Sequence, residues 1–376
     1  MNKSKLPGVG TSIFTVVSKM AKENNAINLA QGFPNFPVDS TLIETIDEIS
    51  KNDIHQYCPM QGLEQLRDKI RKIISKQYNR ELNIQNILVT AGATQGIYTC
   101  IQALVKKNEE VIILDPSYDC YEVPVLLCDA KPIRIKLNDS FLPDWDKIEE
   151  AFNSKTRMII INTPHNPSGR NWDLSDFEKL EEIMNKFPDS LVLSDEVYEF
   201  ISFEKKHISV HERKNLHEKC ISVSSFGKTL HITGWKIGYL VASDKIMKEI
   251  LKVHQYLVFA VNSVAQHTLN SYLNKVNPIN IKDLYQKKRD LFSSKMKGSR
   301  FRLMPCDGTY FQLACYDEIS SKSDTEFVEH LIKAHNVAAI PVSGFYKNME
   351  DNKMIRFCFA KDDATLINAT ELLCKI

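Results

Sequence analysis

What the sequence lacks narrows the field first. No apolar run approaches the roughly 20 residues that a spanning helix needs. The opening MNKSKLPGVGTSIFTVVSKM has only a short apolar stretch, Ile13 to Val17, and no small-residue cleavage site, so neither a secretion signal nor a membrane partner is expected. There is no excess of charge of either sign, with 48 Lys plus Arg against 47 Asp plus Glu, which removes the electrostatic case for a nucleic-acid partner. No C-x-x-C pair occurs. The nine cysteines are scattered and odd in number, which reads as reduced thiols in a cytoplasmic protein. Internal repeats, low-complexity tracts and flexible linkers are also missing.

What is present is an ordinary globular composition, 43% apolar and 25% charged, in a chain of 376 residues. That length is large for one core and predicts a large domain with a smaller one. From about Asn86 to Ser243, β-like runs alternate with helical spacing: NILVT, EVIILD, PIRIKL, RMIIINT, LVLSDE, CISVSS and IGYLVA are strands, with helices such as GATQGIYTCIQALVKK and DLSDFEKLEEIMNKF between them. Alternation of this kind predicts an α/β fold with a mostly parallel sheet covered on both faces. A long helix is expected from Ser243 past Phe259. The tail mixes strands (TYFQLACY, MIRFCFA) with helices, an α+β unit. The expected division is an N-terminal arm over 1–40 crossing to the small unit, a large domain over 41–275 and a small domain over 276–376.

Ligands of open parallel sheets bind beyond the carboxyl ends of the strands, and the unusual residues sit there. Thr90 to Gly96 (TAGATQG) runs a strand into small residues that open a helix, an anion site with free N–H groups, or else a plain turn. In DPSYDCY, Tyr118 can stack on a flat ring. In NTPHNPSG, Asn166 sits in a tight turn and can donate to a phenolate-type oxygen. In LSDEVYE, Asp195 ends an apolar strand, where a carboxylate is costly unless paired; it can keep a pyridine nitrogen protonated or, alternatively, cap a following helix, and Tyr198 lies three residues on. In SSFGKTLHITGWKIGY, Lys228 follows a glycine, and a partly desolvated lysine can form an imine; Ser225 and Lys236 can hold a phosphate. Arg356, among apolar residues in MIRFCFA, suits a bidentate carboxylate. No metal is expected: His207, His211 and His217 lie in a polar stretch without an acid at zinc-enzyme spacing. Gly227-Lys228-Thr229 is not the end of a P-loop, since the required upstream glycine is absent.

Taken in order, these motifs resemble the fold-type I, class I/II aminotransferases that use pyridoxal 5'-phosphate. The branch holding methionine and kynurenine/glutamine aminotransferases is the most similar. The segments that carry the resemblance include NLAQGFPNF, HQYCPMQG, KVHQYLVFAVNS, CDGTYF, VAAIPVSGFY and IRFCFAK, and they run from about Asn28 to Lys361. The resemblance implies a catalytic set of Lys228, Asp195 and Tyr198, with Lys228 forming the imine and carrying the proton. It implies that Asn166 and Tyr198 bond the ring oxygen, that Tyr118 stacks on the ring, and that Gly92, Ala93, Thr94, Ser225 and Lys236 surround the phosphate. Arg356 would take the substrate carboxylate, with Asn166 and the Gly32 backbone beside it. Tyr57 would reach the phosphate of a neighbouring subunit, which implies a homodimer with shared sites. Lys236 stands where many class members carry Arg, a point charge in place of a fork. Phe33, Tyr57, Tyr121 and Phe259 would line an apolar or aromatic pocket, favouring methionine, and also Phe, Tyr, Leu or kynurenine, over aspartate. The competing expectations are a cysteine-conjugate β-lyase and, from another class, a non-catalytic cofactor-binding sensor.

Overall fold

The structure, a computed structural model, describes residues 4–376. In chain order its main elements begin with α1 (Ile13–Glu23), β1 (Ile27–Asn28), α2 (Ser40–Ser50), α3 (Glu64–Tyr78), β2 (Ile87–Thr90) and α4 (Ala93–Leu104). Next come β3 (Glu110–Asp115), α5 (Glu122–Leu127), β4 (Lys131–Lys136), α6 (Trp145–Ala151), β5 (Thr156–Asn162), α7 (Leu174–Lys186) and β6 (Leu191–Asp195). Then follow β7 (Cys220–Ser225), the single turn α8 (Phe226–Thr229), β8 (Gly238–Val241), α9 (Asp244–Leu257), α10 (Ser263–Tyr272) and α11 (Ile281–Met296). The chain ends with β9 (Arg302–Leu303), β10 (Phe311–Cys315), α12 (Asp324–His335), β11 (Val337–Ala338), β12 (Ile340–Pro341), β13 (Met354–Cys358) and α13 (Asp363–Leu373).

The apolar runs of the first half form one seven-stranded sheet in the order β2-β8-β7-β6-β5-β3-β4. Its strands are parallel except β8, which runs antiparallel to both β2 and β7. β2 and β6 are buried along their whole length and β5 nearly so, because helices cover both faces. α4 and α9 pack with Ile97, Ile101 and Ile250 on one face, and α7 packs Phe177, Leu180 and Ile183 on the other. A second, four-stranded antiparallel sheet follows the order β12-β13-β10-β9. One further cluster joins α1 and β1 to α11, α12 and β13 through Val17, Leu29, Phe292, Phe327 and Phe357, so the N-terminal segment packs with the C-terminal elements.

The expectations for fold class and for most elements hold. The long helix past Phe259 does not. α9 stops at Leu257, Phe259 takes a left-handed backbone at φ +65°, and α10 starts afresh where the Asn262 side chain accepts from the Ala265 amide. Among the described residues no helix is long and apolar enough to cross a membrane.

Candidate active site

The parallel strands bring their carboxyl ends to one edge. Asn162 ends β5 and pairs in register with Asp195, which ends β6; Asp195 pairs with Val223, and Ser225 at the end of β7 lies opposite Gly238. Beyond this edge lies a cavity of about 300 Å3. Among the described residues three cations, Lys228, Lys236 and Arg356, line it against a single carboxylate, Asp195. A cavity with that imbalance favours ligands carrying more than one negative charge.

Asp195 is 4% exposed. Its Oδ2 accepts from the Tyr121 hydroxyl at 2.6 Å, and its Oδ1 accepts from the Val197 amide at 3.3 Å. Burial raises its pKa to about 6, against these two donors and Lys228, which all favour the ionised form. No helix starts behind it, so the capping alternative fails. Asn162 fixes the neighbouring turn: its Nδ2 donates to the Asp195 carbonyl at 2.8 Å, and its Oδ1 accepts from the Asn166 amide at 2.8 Å.

Lys228 sits on α8 at the cavity wall. Burial lowers its pKa to about 8, helped by Arg356 and Lys236 and opposed by Cys358 and Asp195. Its nitrogen lies 5.9 Å from the Tyr198 ring centre and 5.7 Å from that of Tyr310. Burial also pushes the Tyr118 and Tyr198 hydroxyls well above the usual phenol range, so both are neutral donors.

The start of α4 is open. Gly92 precedes it at φ +78° without a side-chain cap, and a Cβ there would come within 3.4 Å of the Lys236 ammonium. The free N–H groups of the first turn, the helix dipole and Lys236 converge where Thr94 and Ser225 also line the cavity, an anion cradle that a larger residue at 92 would fill.

Arg356 is 1% exposed in β13. Its Nη1 donates to Asn166 Oδ1 at 2.6 Å and its Nη2 to the Ala30 carbonyl at 3.3 Å, while Nε has no partner. The guanidinium carbon stands 3.8 Å from the Phe311 ring centre, with Phe14 and Phe345 at 5.3 and 5.0 Å. No acid pairs with it among the described residues, and burial lowers its pKa to about 10. A buried cation held only by neutral groups is a site for an anion that arrives from outside.

The expected residues Gly32, Phe33, Gly92, Ala93, Thr94, Tyr118, Asn166, Asp195, Tyr198, Ser225, Lys228, Lys236 and Arg356 all line this one cavity. Tyr57 and Phe259 do not. Tyr57 is 82% exposed, and Phe259, carried off the helix face by the break after α9, packs edge-on against it at 5.4 Å. Tyr121 lines the cavity as well, and its hydroxyl is also committed to Asp195. Phe14, Gln31, Asn162 and Phe311 line the cavity and were not singled out; Asn162 and Phe311 lie inside quoted motifs, whereas Phe14 carries no signal in a short apolar run. The histidines beyond the site are engaged otherwise: His207 bonds Glu196 at 3.0 Å, and His211 bonds Arg80 at 2.7 Å and Ser222 at 3.0 Å.

The chain matches the family of aminotransferases class I and II over residues 24–373. It is 42% identical to the methionine aminotransferase of Escherichia coli (strain K12), over 99% of this chain and 97% of that protein. It is 29% identical to human kynurenine–oxoglutarate transaminase 3, over 99% and 89%. Its fold superposes on YbdL of Escherichia coli, described as having a methionine aminotransferase function, with a TM-score of 0.97 at 41% identity and full coverage of both chains. The N-succinyldiaminopimelate aminotransferase of Mycobacterium tuberculosis gives 0.94 at 28% identity, again over both whole chains. The chain belongs to the class I and II aminotransferases.

Proposed function

We propose that this pyridoxal phosphate-dependent aminotransferase moves the α-amino group of amino acids with apolar or aromatic side chains, methionine foremost, to a 2-oxo acid. The observation that carries the reading is Arg356, a buried cation without an acid partner, facing a cavity whose other walls include Phe14, Phe33, Tyr118 and Phe311. Arg356 accounts for one carboxylate, and among the described residues no second arginine lines the cavity for a side-chain carboxylate. The names of the two relatives point the same way.

The residues present fit the cofactor. The cradle at Gly92 and Lys236 suits its phosphate, and Asp195, buried and ionised above about pH 6, suits its ring nitrogen. When bound, pyridoxal phosphate supplies an aldehyde for amine condensation and a protonated ring that withdraws electrons from the substrate Cα. Everything else falls to the chain. Ala93 and Thr94 offer N–H groups to the phosphate, with Ser225 and Lys236 beside them. Tyr118 would cover the ring, and Asn166 and Tyr198 would donate to its oxygen. Arg356 and the Gly32 amide orient the α-carboxylate, which holds the Cα–H bond toward Lys228. Its Nζ, with a pKa lowered to about 8, takes the proton and returns it.

Tyr57, Tyr256, Leu257 and Phe259 are exposed together at and near the break after α9. Such a surface supports a homodimer in which Tyr57 reaches the partner's site. The nine cysteines are all free, which supports a reducing, cytoplasmic setting. The packing of α1 and β1 against the C-terminal elements supports the three-part division at about residues 40 and 275. A screen of amino donors against 2-oxo acids tests the reading: methionine and aromatic donors should exceed aspartate in kcat/KM by at least about tenfold. An aspartate preference would refute it.

A further inference from the structure

Lys361 stands three residues past the end of β13 and is 3% exposed. Among the described residues it has no carboxylate partner. Its ammonium instead donates to two backbone carbonyls, Phe33 O at 2.7 Å and Gln31 O at 3.3 Å, and lies 5.0 Å from the Phe33 ring centre. Keeping a lysine charge out of water without a counter-ion is costly, and two carbonyls with one aromatic face offset it only in part. The feature calls for a reason beyond the packing of the small sheet.

The target of these bonds supplies one. Every carbonyl from Ala30 to Phe33 is held by a side chain of the C-terminal elements: Ala30 O by Arg356 at 3.3 Å, Gly32 O by the Tyr310 hydroxyl at 2.7 Å, and the other two by Lys361. The Ala30 and Gln31 amides are taken up by Asn28 Oδ1 at 3.0 and 3.1 Å. The Gly32 amide has no acceptor among the described residues, and Gly32 lines the cavity. In a trans peptide the carbonyl of one residue and the N–H of the next point in opposite directions. Drawing the Gln31 carbonyl toward Lys361 therefore turns the Gly32 N–H away from Lys361, and the positive charge on that carbonyl polarises the same peptide and strengthens its donor. No side chain fits at Gly32, since a Cβ there would meet the Phe311 ring at 2.7 Å. The stretch is stitched again one step on: Asn35 Oδ1 accepts from the Asp362 amide and Asn35 Nδ2 donates to its carboxylate, both at 2.7 Å.

We propose that Lys361 is a positioning residue for the substrate α-carboxylate, acting through the Gln31–Gly32 peptide to present the Gly32 N–H beside Arg356. This rests on the reading of Arg356 as the carboxylate anchor. Lys361 touches neither substrate nor cofactor, and its effect is on carboxylate recognition rather than on the proton transfer at Lys228.

The test uses the holoenzyme and two probes that divide the substrate: 3-(methylsulfanyl)propanoate, which has the carboxylate without the amine, and L-methioninol, which has the amine without the carboxylate. For K361M the dissociation constant of the propanoate should rise about tenfold, the loss of one hydrogen bond to a charged group. Methioninol binding should stay within about twofold of wild type, and KM for L-methionine should rise more than kcat falls. K361Q, which keeps a donor but no charge, should weaken propanoate binding less, and it decides the matter if K361M does not fold. In wild type, the propanoate should slow hydrogen exchange of the Gly32 amide. Unchanged propanoate affinity, or equal loss for both probes, would overturn the proposal in favour of a merely structural lysine. R356A measured alongside separates the two levels. If R356A loses the propanoate and K361M does not, the proposal alone is wrong. If R356A binds it like wild type, the reading of Arg356 is wrong and the proposal falls with it.

Discussion

The Tyr121 hydroxyl donates to Asp195 Oδ2 at 2.6 Å, and both groups are buried. The bond joins the loop after β3 to the end of β6 and favours the carboxylate over the carboxylic acid, partly opposing the burial that raises its pKa to about 6. Removing the donor in Tyr121→Phe raises that pKa further. The rate therefore begins to fall at a higher pH on the acid side, while the alkaline limb stays in place. A kcat/KM profile over pH 5 to 9 measures this; an acid limb that does not move, or that moves to lower pH, contradicts it.

Arg356→Ala removes both the fork and the charge for the α-carboxylate. KM for amino donors should rise about a hundredfold, equivalent to roughly 2–3 kcal/mol, with a smaller fall in kcat. Arg356→Lys keeps the charge without the fork and should recover part of the loss. Steady-state kinetics with L-methionine decides this, and equal KM values in wild type and Arg356→Ala would rule out the carboxylate role.

The phosphate cradle makes a separate prediction. Gly92→Val places a β-branched residue at φ +78° and its Cβ within 3.4 Å of Lys236 Nζ. Lys236→Ala removes the point charge. Each should weaken cofactor retention at least about tenfold, and the Lys236 effect should shrink as salt rises. Dialysis followed by absorbance titration with pyridoxal phosphate reads the outcome; unchanged affinity in both variants would move the phosphate elsewhere.

Tyr57 and Phe259 are exposed and pack edge-on, and the proposed dimer would cover them. Tyr57→Asp should shift the protein from dimer toward monomer in sedimentation velocity and release cofactor faster. A wild-type protein that sediments as a monomer while fully active would contradict the shared-site arrangement.

Much of the site was legible because its residues end apolar runs. Asp195 and Ser225 end, and Asn166 and Lys228 follow, strands whose burial pattern is written in the sequence, and a parallel sheet gathers such ends. What was not legible depends on contacts between distant segments. Tyr121 meets Asp195 across 74 positions. Phe14 reaches the cavity only because α1 packs with the C-terminal elements. The break after α9 escaped notice because a left-handed Phe259 has neither Gly nor Pro to mark it. Lys361 read as the end of a strand motif, and its burial against the Gln31 and Phe33 carbonyls depends on a crossing between residues 330 and 328 positions apart.

The central claim is that Lys228 is the amine that holds the cofactor and moves the proton, and the most direct measurement is the absorbance spectrum of Lys228→Ala beside wild type. Wild type should show a visible band from the lysine-linked cofactor. Cofactor-free wild type should recapture pyridoxal phosphate with a rate that rises with pH through about 8, as the neutral amine becomes available. Lys228→Ala should lack that band and lose transamination by at least about a thousandfold, because the nucleophile and the proton carrier are lost together. An unchanged band with unchanged activity in Lys228→Ala would contradict the account.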